Sequence, residues 1–328
     1  MNMGKDILVT GGAGFVGREL CRVLVAKGYR VTAMVRRAEV VMPDGVVIWV
    51  APDLPDLSPD TAQRLAGIEV VVHAAGRAHI LQDDDRDSLT AFRRVNTEGT
   101  LALARVAASA GVRRFIFVSS IGVNGSQSVD QAFRAEDTPQ PDSPYAQSKW
   151  EAEQALTRLQ VETGLTVLHL RPPMIYGSAA PGNFALLARL VGKGWPLPLG
   201  GLRAPRSFVA LDNVVDLLTH MVCHPNPPSG VYLVADPLVT TTTQFIRAIA
   251  NGMGQNLTLI PVPASVLMIL ASVAGRGEQI RKMSVSLAVD IQSTEVRLGW
   301  SPSVTMAAAM HRAFSATTAT HTLLEPNP

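Results

Sequence analysis

Ile7-Leu8-Val9 runs directly into Thr10-Gly11-Gly12-Ala13-Gly14-Phe15-Val16-Gly17, and the reading of this junction decides the fold. A short aliphatic run bounded by glycines marks a strand buried on both faces. Gly11 and Gly12 then permit a sharp turn, Gly14 lets backbone N–H groups approach a pyrophosphate, and Gly17 allows the next helix to pack closely on the strand. The segment from Gly17 to Lys27 has helical spacing, and a helix N-terminus at that point favours an anion. Strand, glycine loop and helix in this order point to dinucleotide binding, with Ala13, Phe15 and Val16 completing the cradle.

Working outward, the runs Val31–Val35, Val46–Ile48, Val70–Val72, Phe115–Val118 and Thr166–Leu170 alternate with helical segments, notably Ser88 to Ala110 and Pro144 to Thr163. Buried strands alternating with helices predict an α/β fold, a Rossmann-type doubly wound parallel sheet, over residues 1–177. Beyond residue 178 the pattern loosens around Pro196-Leu197-Pro198, Pro225 to Pro228 and Pro261-Val262-Pro263, which predicts a smaller α/β C-terminal substrate lobe over 178–315. Val209 to Val214 and Val231 to Val234 read as strands, so part of 205–240 is expected to return to the first sheet. Residues 316–328, rich in Ala and Thr at their start, read as a flexible tail.

Composition narrows the function. The chain has 328 residues, 47% hydrophobic and 17% charged, so it has material for a large core and is not a disordered chain. Its 29 Lys plus Arg barely exceed its 27 Asp plus Glu, which leaves no basic surplus for nucleic acid. Cys21 and Cys223 form neither a disulfide framework nor a zinc motif, and the start of the chain lacks signal-peptide features, so a reducing cytoplasm is expected. Val262 to Ala274 is apolar but far shorter than the ~20 residues that span a bilayer, and reads as a buried or docking helix with no transmembrane segment.

The second strand ends in Val35-Arg36-Arg37, where an acidic residue would bind ribose hydroxyls. Guanidinium groups pair with a 2′-phosphate, so NADP is preferred and NAD possible. Asp53-Leu54 can approach the adenine, and Ala74, Ala75 and Gly76 after His73 leave room for a cofactor. Tyr145-Ala146-Gln147-Ser148-Lys149 opens a helix capped by Ser143, with Pro144 in its first turn. Tyr145 and Lys149, four apart, share a face. A neighbouring ammonium favours a phenolate, so Tyr145 can exchange a proton with a substrate oxygen that Ser120 orients. The segment Ser120 to Gly125 carries no Asp or Glu, which disfavours a dehydratase.

Taken together, Gly11, Gly14, Gly17, His73-Ala74-Ala75, Asn96, Ser120, Tyr145 and Lys149 resemble the extended short-chain dehydrogenase/reductases of the nucleotide-sugar epimerase and dehydratase superfamily. The resemblance implies hydride transfer at nicotinamide C4, with Tyr145 as acid/base, Lys149 on the ribose, Ser120 on the reacting oxygen and Asn96 in a helix break supporting Lys149. It places Pro172 against the nicotinamide, and Arg206 on the diphosphate of a UDP-linked sugar. Asn183 is expected either on the substrate or as a helix cap, and Asp212 as a cap. The usual late phosphate-binding Arg is missing, leaving Arg281 and Lys282 as the nearest cations. Within the superfamily the chain looks most like NADPH-dependent reductases of UDP-4-keto-6-deoxy-N-acetylhexosamine in surface-polysaccharide synthesis. The alternatives are a UDP-hexose 4-epimerase that retains NAD, a hydroxysteroid- or flavonoid-type ketoreductase, and a non-catalytic nucleotide sensor. The helices over 88–110 and 144–163 correspond to a dimer interface in similar proteins, so a homodimer is expected.

Overall fold

The computed structural model describes residues 5–51, 54–78, 88–273 and 277–321, so Asp53 lies outside the described residues. The first strand, β1 (Asp6–Thr10), delivers the glycine loop to α1 (Phe15–Ala26), followed by β2 (Arg30–Val35), β3 (Val46–Val50), α2 (Thr61–Arg64) and β4 (Val70–His73). The expected helix over 88–110 is three pieces: α3 (Ser88–Arg93), a π turn (Arg94–Glu98) and α4 (Gly99–Ser109). Then come β5 (Arg114–Val118), a 3₁₀ turn (Ile121–Val123), α5 (Pro144–Thr163) and β6 (Thr166–Arg171). The short β7 (Ile175–Tyr176) leads into α6 (Asn183–Gly192), β8 (Pro205–Arg206), β9 (Val209–Ala210) and α7 (Leu211–Cys223). The remainder is β10 (Gly230–Leu233), β11 (Thr240–Thr241), α8 (Thr242–Gly252), α9 (Ala264–Val273), α10 (Gly277–Ser284), α11 (Gln292–Leu298) and α12 (Met306–His321).

Seven strands form one parallel sheet in the order β10-β6-β5-β4-β1-β2-β3. The order reverses between β1 and β4, and the crevice outside the strand C-termini at such a switch point is where α/β sheets bind ligands. One face is covered by α1 and α7, whose Leu20, Leu24, Val214, Leu217 and Met221 pack on Ile7, Val9 and Val72. The other is covered by α4 and α5, with Leu103, Ala107, Ala152 and Leu156 against Leu8, Val71 and Phe115. The sheet is thus doubly wound.

Val209 to Val214 is a strand only at Val209–Ala210; helix α7 starts at Leu211, and its buried positions at 214, 215, 218, 221 and 222 follow helical spacing. Strand β10 pairs with β6 at the edge of the sheet, and α11 packs beside it: Thr294 bonds both backbone groups of Leu233, and Trp300 donates to Asp216 at 2.7 Å. A further core cluster, drawn mostly from residues beyond 175, centres on Phe208 and Phe245, which stack at 3.9 Å beside Tyr176 and Phe184. Helix α12 continues to His321, six residues into the stretch read as a tail. Helix α9 is not buried: Leu267 is inside, whereas Val266, Met268, Ile269 and Leu270 are exposed. Among the described residues no helix is long and apolar enough to cross a membrane.

Candidate active site

The glycine loop meets the steric demands of a close backbone approach. Gly11 sits at φ +65°, and a Cβ there would fall 2.8 Å from the Ala75 nitrogen. A Cβ on Gly17 would fall 2.3 Å from the Gly11 carbonyl oxygen, so helix and loop touch backbone to backbone. Gly14 is the N-cap of α1 and no side chain caps that end, which leaves backbone N–H groups facing outward for an anion. These features fit a dinucleotide pyrophosphate. Ala75 donates its N–H to Thr10 Oγ1, fixing the β4 exit over the loop.

Helix α5 begins as its sequence dictates. Ser143 accepts the Ala146 N–H at 3.2 Å, and Pro144 occupies the first turn. The Tyr145 hydroxyl is buried facing Ser120, whose Oγ accepts the Gly122 N–H at 3.2 Å. Lys149 is buried, donates to the Val118 carbonyl at 2.9 Å and lies 4.6 Å from the Phe117 ring centroid. The expected lowering of Tyr145 by the ammonium is absent: burial pushes the Tyr145 hydroxyl up to about 12, with Ser120 alone opposing it. Burial also lowers Lys149 to about 8, against the attraction of Glu153. Gly76 keeps the space beside the ammonium open, since a Cβ there would sit 3.2 Å from both Lys149 Nζ and Asn96 Oδ1.

Asn96 lies in the π turn, buried, and accepts from the Arg77 N–H while its amide donates to the Arg77 carbonyl and to Ser148 Oγ. The helix break therefore clamps the β4 exit to α5 one residue before Lys149. His73 extends this frame. Thr100 gives its proton to the Asn96 carbonyl, so His73 Nε2–H donates to Thr100 and Nδ1 accepts from Thr10. Burial holds His73 down at about 3, hence neutral and suited to that order of donors.

Other expected residues are placed as follows. Arg36 and Arg37 are exposed just beyond β2, Leu54 is buried against Gly99, and Pro172 is buried with its carbonyl accepting from Ile121. Asn183 is exposed in the first turn of α6, and the cap there is Gly182 at φ +70°, so Asn183 caps nothing. Asp212 is no cap either: Ala210 holds that position, and Asp212 pairs with Arg312 at 3.1 Å. Arg206 donates to the carbonyls of Lys282 and Val285, and burial lowers it to about 10; among the described residues it has no carboxylate partner. The tertiary structure thus sets Arg206 on the backbone of Lys282, the residue after Arg281. A cleft of about 640 Å³ opens between Phe15, Arg18, Gly177, Asp212 and Arg312, and neither Ser120, Tyr145 nor Lys149 lines it.

The sequence model of the NAD dependent epimerase/dehydratase family matches residues 7–235. The chain belongs to this family. A UDP-glucose 4-epimerase of Vibrio cholerae is 39% identical over 307 residues, covering 93% of each chain. Among solved structures, the Thermotoga maritima UDP-glucose 4-epimerase with UDP-glucose superposes with TM-score 0.77 at 22% identity over 96% of this chain and 99% of the other. A UDP-glucuronic acid 4-epimerase of Bacillus cereus in complex with NAD gives the same TM-score at 19% identity, covering 96% and 99%. The chain is therefore an enzyme of nucleotide-sugar metabolism on an epimerase/dehydratase scaffold.

For this family member, sequence reading missed the groups behind Lys149. Glu153 continues the Tyr145–Lys149 stripe by one more turn, and Arg171 meets it at 2.5 Å with both side chains almost wholly buried. Ser119 donates to Glu153 at 2.5 Å, and Arg171 reaches Asn124 at 2.9 Å. The signal was the spacing of four repeated twice along α5, with a charge where the inward stripe should be apolar.

Proposed function

We propose that the chain is a UDP-sugar 4-epimerase that retains NAD, and the observation that carries this is its 39% identity over 307 residues to a UDP-glucose 4-epimerase, with Tyr145 and Lys149 four apart on α5 and Ser120 facing Tyr145. The Gly11–Gly17 loop and the uncapped start of α1 would hold the pyrophosphate, Leu54, Ala74 and Ala75 the nucleoside side, and Lys149, Asn96 and Pro172 the nicotinamide half. NAD bound there supplies the hydride acceptor and, later, the donor. Ser120 holds the sugar O4, and Tyr145 removes its proton as the C4–H bond breaks; the ketosugar then turns its other face and Tyr145 returns the proton. Lys149 within the site opposes the rise that burial imposes on Tyr145 once the ammonium and phenol face the same ribose. Arg206, held on the Lys282 and Val285 carbonyls with no carboxylate partner among the described residues, is suited to the UDP diphosphate. Asn183, exposed and not a cap, is free to reach the substrate.

A second reading, the NADPH-dependent 4-ketosugar reductase, is favoured by one observation: β2 ends in exposed Arg36 and Arg37 and no carboxylate. One experiment separates the two. The purified protein is denatured, released nucleotide is identified by mass spectrometry, and the native enzyme is incubated with UDP-glucose and UDP-N-acetylglucosamine. Stoichiometric NAD and formation of the C4 epimer are expected. An empty protein that oxidises NADPH only with a UDP-4-ketosugar would replace the epimerase by the reductase.

A further inference from the structure

Helix α9 breaks the rule that an apolar helix is buried. Residues 264–273 contain no charged side chain, yet Val266, Met268, Ile269 and Leu270 stand exposed, and Ile269 and Leu270 are each more than 60% accessible. Val266, Ile269 and Leu270 fall at i, i+3 and i+4, one continuous face. Ile260, just before the helix, is exposed as well. At ten residues, about 15 Å, the helix is too short to span a bilayer and long enough to lie in its surface.

The charge around this face is equally one-sided. Segments 178–211 and 237–289, which build the second lobe, hold eight basic residues and one acidic, Glu278, in a chain whose net charge is only +2. Arg206 and Arg281 are accounted for by the diphosphate of the substrate, which leaves a large surplus. Part of it borders α9. The chain from Leu197 to Gly200 pairs with Thr258 and Ile260, so the exposed Trp195, with Lys193 over its ring at 5.2 Å, precedes the strand that leads toward α9. Gly201 abuts the Val262 carbonyl, which sets the exposed Arg203 two residues from the α9 approach. Helix α10, carrying exposed Lys282, packs directly on α9.

From an apolar face, a flanking tryptophan and a predominantly cationic border, we infer that this side of the second lobe docks on the anionic surface of a lipid bilayer, with α9 lying in the interface. Each element has its place there: aliphatic side chains enter the acyl boundary, Trp195 sits at headgroup level, and Lys193, Arg203 and Lys282 meet lipid phosphates. A protein partner or a second copy would account for the apolar face but not for the basic surplus.

The test is flotation of the full-length protein with vesicles of phosphatidylglycerol and phosphatidylethanolamine, and with vesicles of phosphatidylcholine alone. Binding to the anionic vesicles is expected to exceed binding to the neutral ones at least tenfold and to weaken in 0.5 M salt. The double substitution Ile269→Glu, Leu270→Glu should reduce the bound fraction at least tenfold without changing turnover of soluble substrate. Trp49 and Trp300 are buried and Trp150 is half-buried on α5, so a blue shift of emission on adding anionic vesicles that Trp195→Phe removes reports docking even if the α9 variant fails to fold. Wild-type protein that floats with neither vesicle, or floats equally after the double substitution, overturns the inference. So does a dimer in light scattering that the double substitution dissociates while vesicle binding is nil, which would assign α9 to a self-interface.

Discussion

Removing the Glu153 carboxylate should be far more damaging than removing an ordinary surface charge. Arg171 and Glu153 are 1% and 2% exposed at the side chain, and two of the guanidinium nitrogens, Nε and Nη2, donate to that one carboxylate at 2.5–3.2 Å. In Glu153→Ala the guanidinium keeps Asn124 as its one hydrogen-bond partner among the described residues, beside the Trp150 ring, and a buried charge left without its carboxylate costs about 3–5 kcal/mol. Ser119 loses its acceptor too, adding about 1 kcal/mol. The expected loss is therefore about 4–6 kcal/mol. At about 2 °C per kcal/mol for a chain of this size, the melting temperature should fall by ~8–12 °C. Circular dichroism melts and equilibrium urea unfolding measure both quantities. The same reasoning requires that Glu153→Met with Arg171→Leu, which removes both charges and fills the space, recover all but about 1–2 kcal/mol. A single variant melting within about 2 °C of the parent, or a double variant no better than the single, would refute the claim that the pair is held by its mutual compensation.

Tyr145→Phe should fold normally and lose about 10²–10⁴-fold in turnover of UDP-sugar, since only the proton-carrying oxygen is removed; steady-state kinetics and an unchanged melt check this. Lys149, held at about 8 against an ordinary 10.5, sheds its proton earlier in the folded chain than in the unfolded one. Between those values the unfolded chain binds more protons, so the unfolding free energy should rise with pH relative to a Lys149→Met variant, by at most about 1.4 kcal/mol per pH unit; denaturant titrations at pH 8 and 10 test the sign. In Gly17→Ala the new methyl would fall 2.3 Å from the Gly11 carbonyl oxygen, so nucleotide affinity should drop at least tenfold and the melt should fall, as calorimetric titration with NAD will report. Light scattering should return the mass of a homodimer, and a monomer would remove that expectation.

Local sequence was decisive wherever one backbone stretch determined its own structure. The aliphatic strands, the glycine loop with its left-handed Gly11, the Ser143 cap with Pro144 and the helix it opens need only short-range sterics and hydrogen bonding. Each appears in the fold within a few residues of its expected limits. The Tyr145–Lys149 stripe belongs to the same class, because a spacing of four on a helix fixes a shared face. Val209 to Val214 misled because a two-residue strand, Val209–Ala210, runs straight into α7, whose buried Val214 and Val215 read locally like its continuation, and only packing against α1 shows where the helix begins.

What the tertiary structure alone decided concerns pairs distant in sequence and the balance of burial against charge. Glu153 finds Arg171 and Ser119, His73 takes its tautomer from Thr10 and Thr100, and Arg206 comes onto the Lys282 and Val285 carbonyls. The ionisation of Tyr145 and Lys149 follows the same rule: spacing brings the two together, but the depth at which the fold buries them determines which effect prevails. Exposure of α9 is likewise a tertiary fact, since an apolar run states what a segment prefers and only the packed chain shows whether anything covers it.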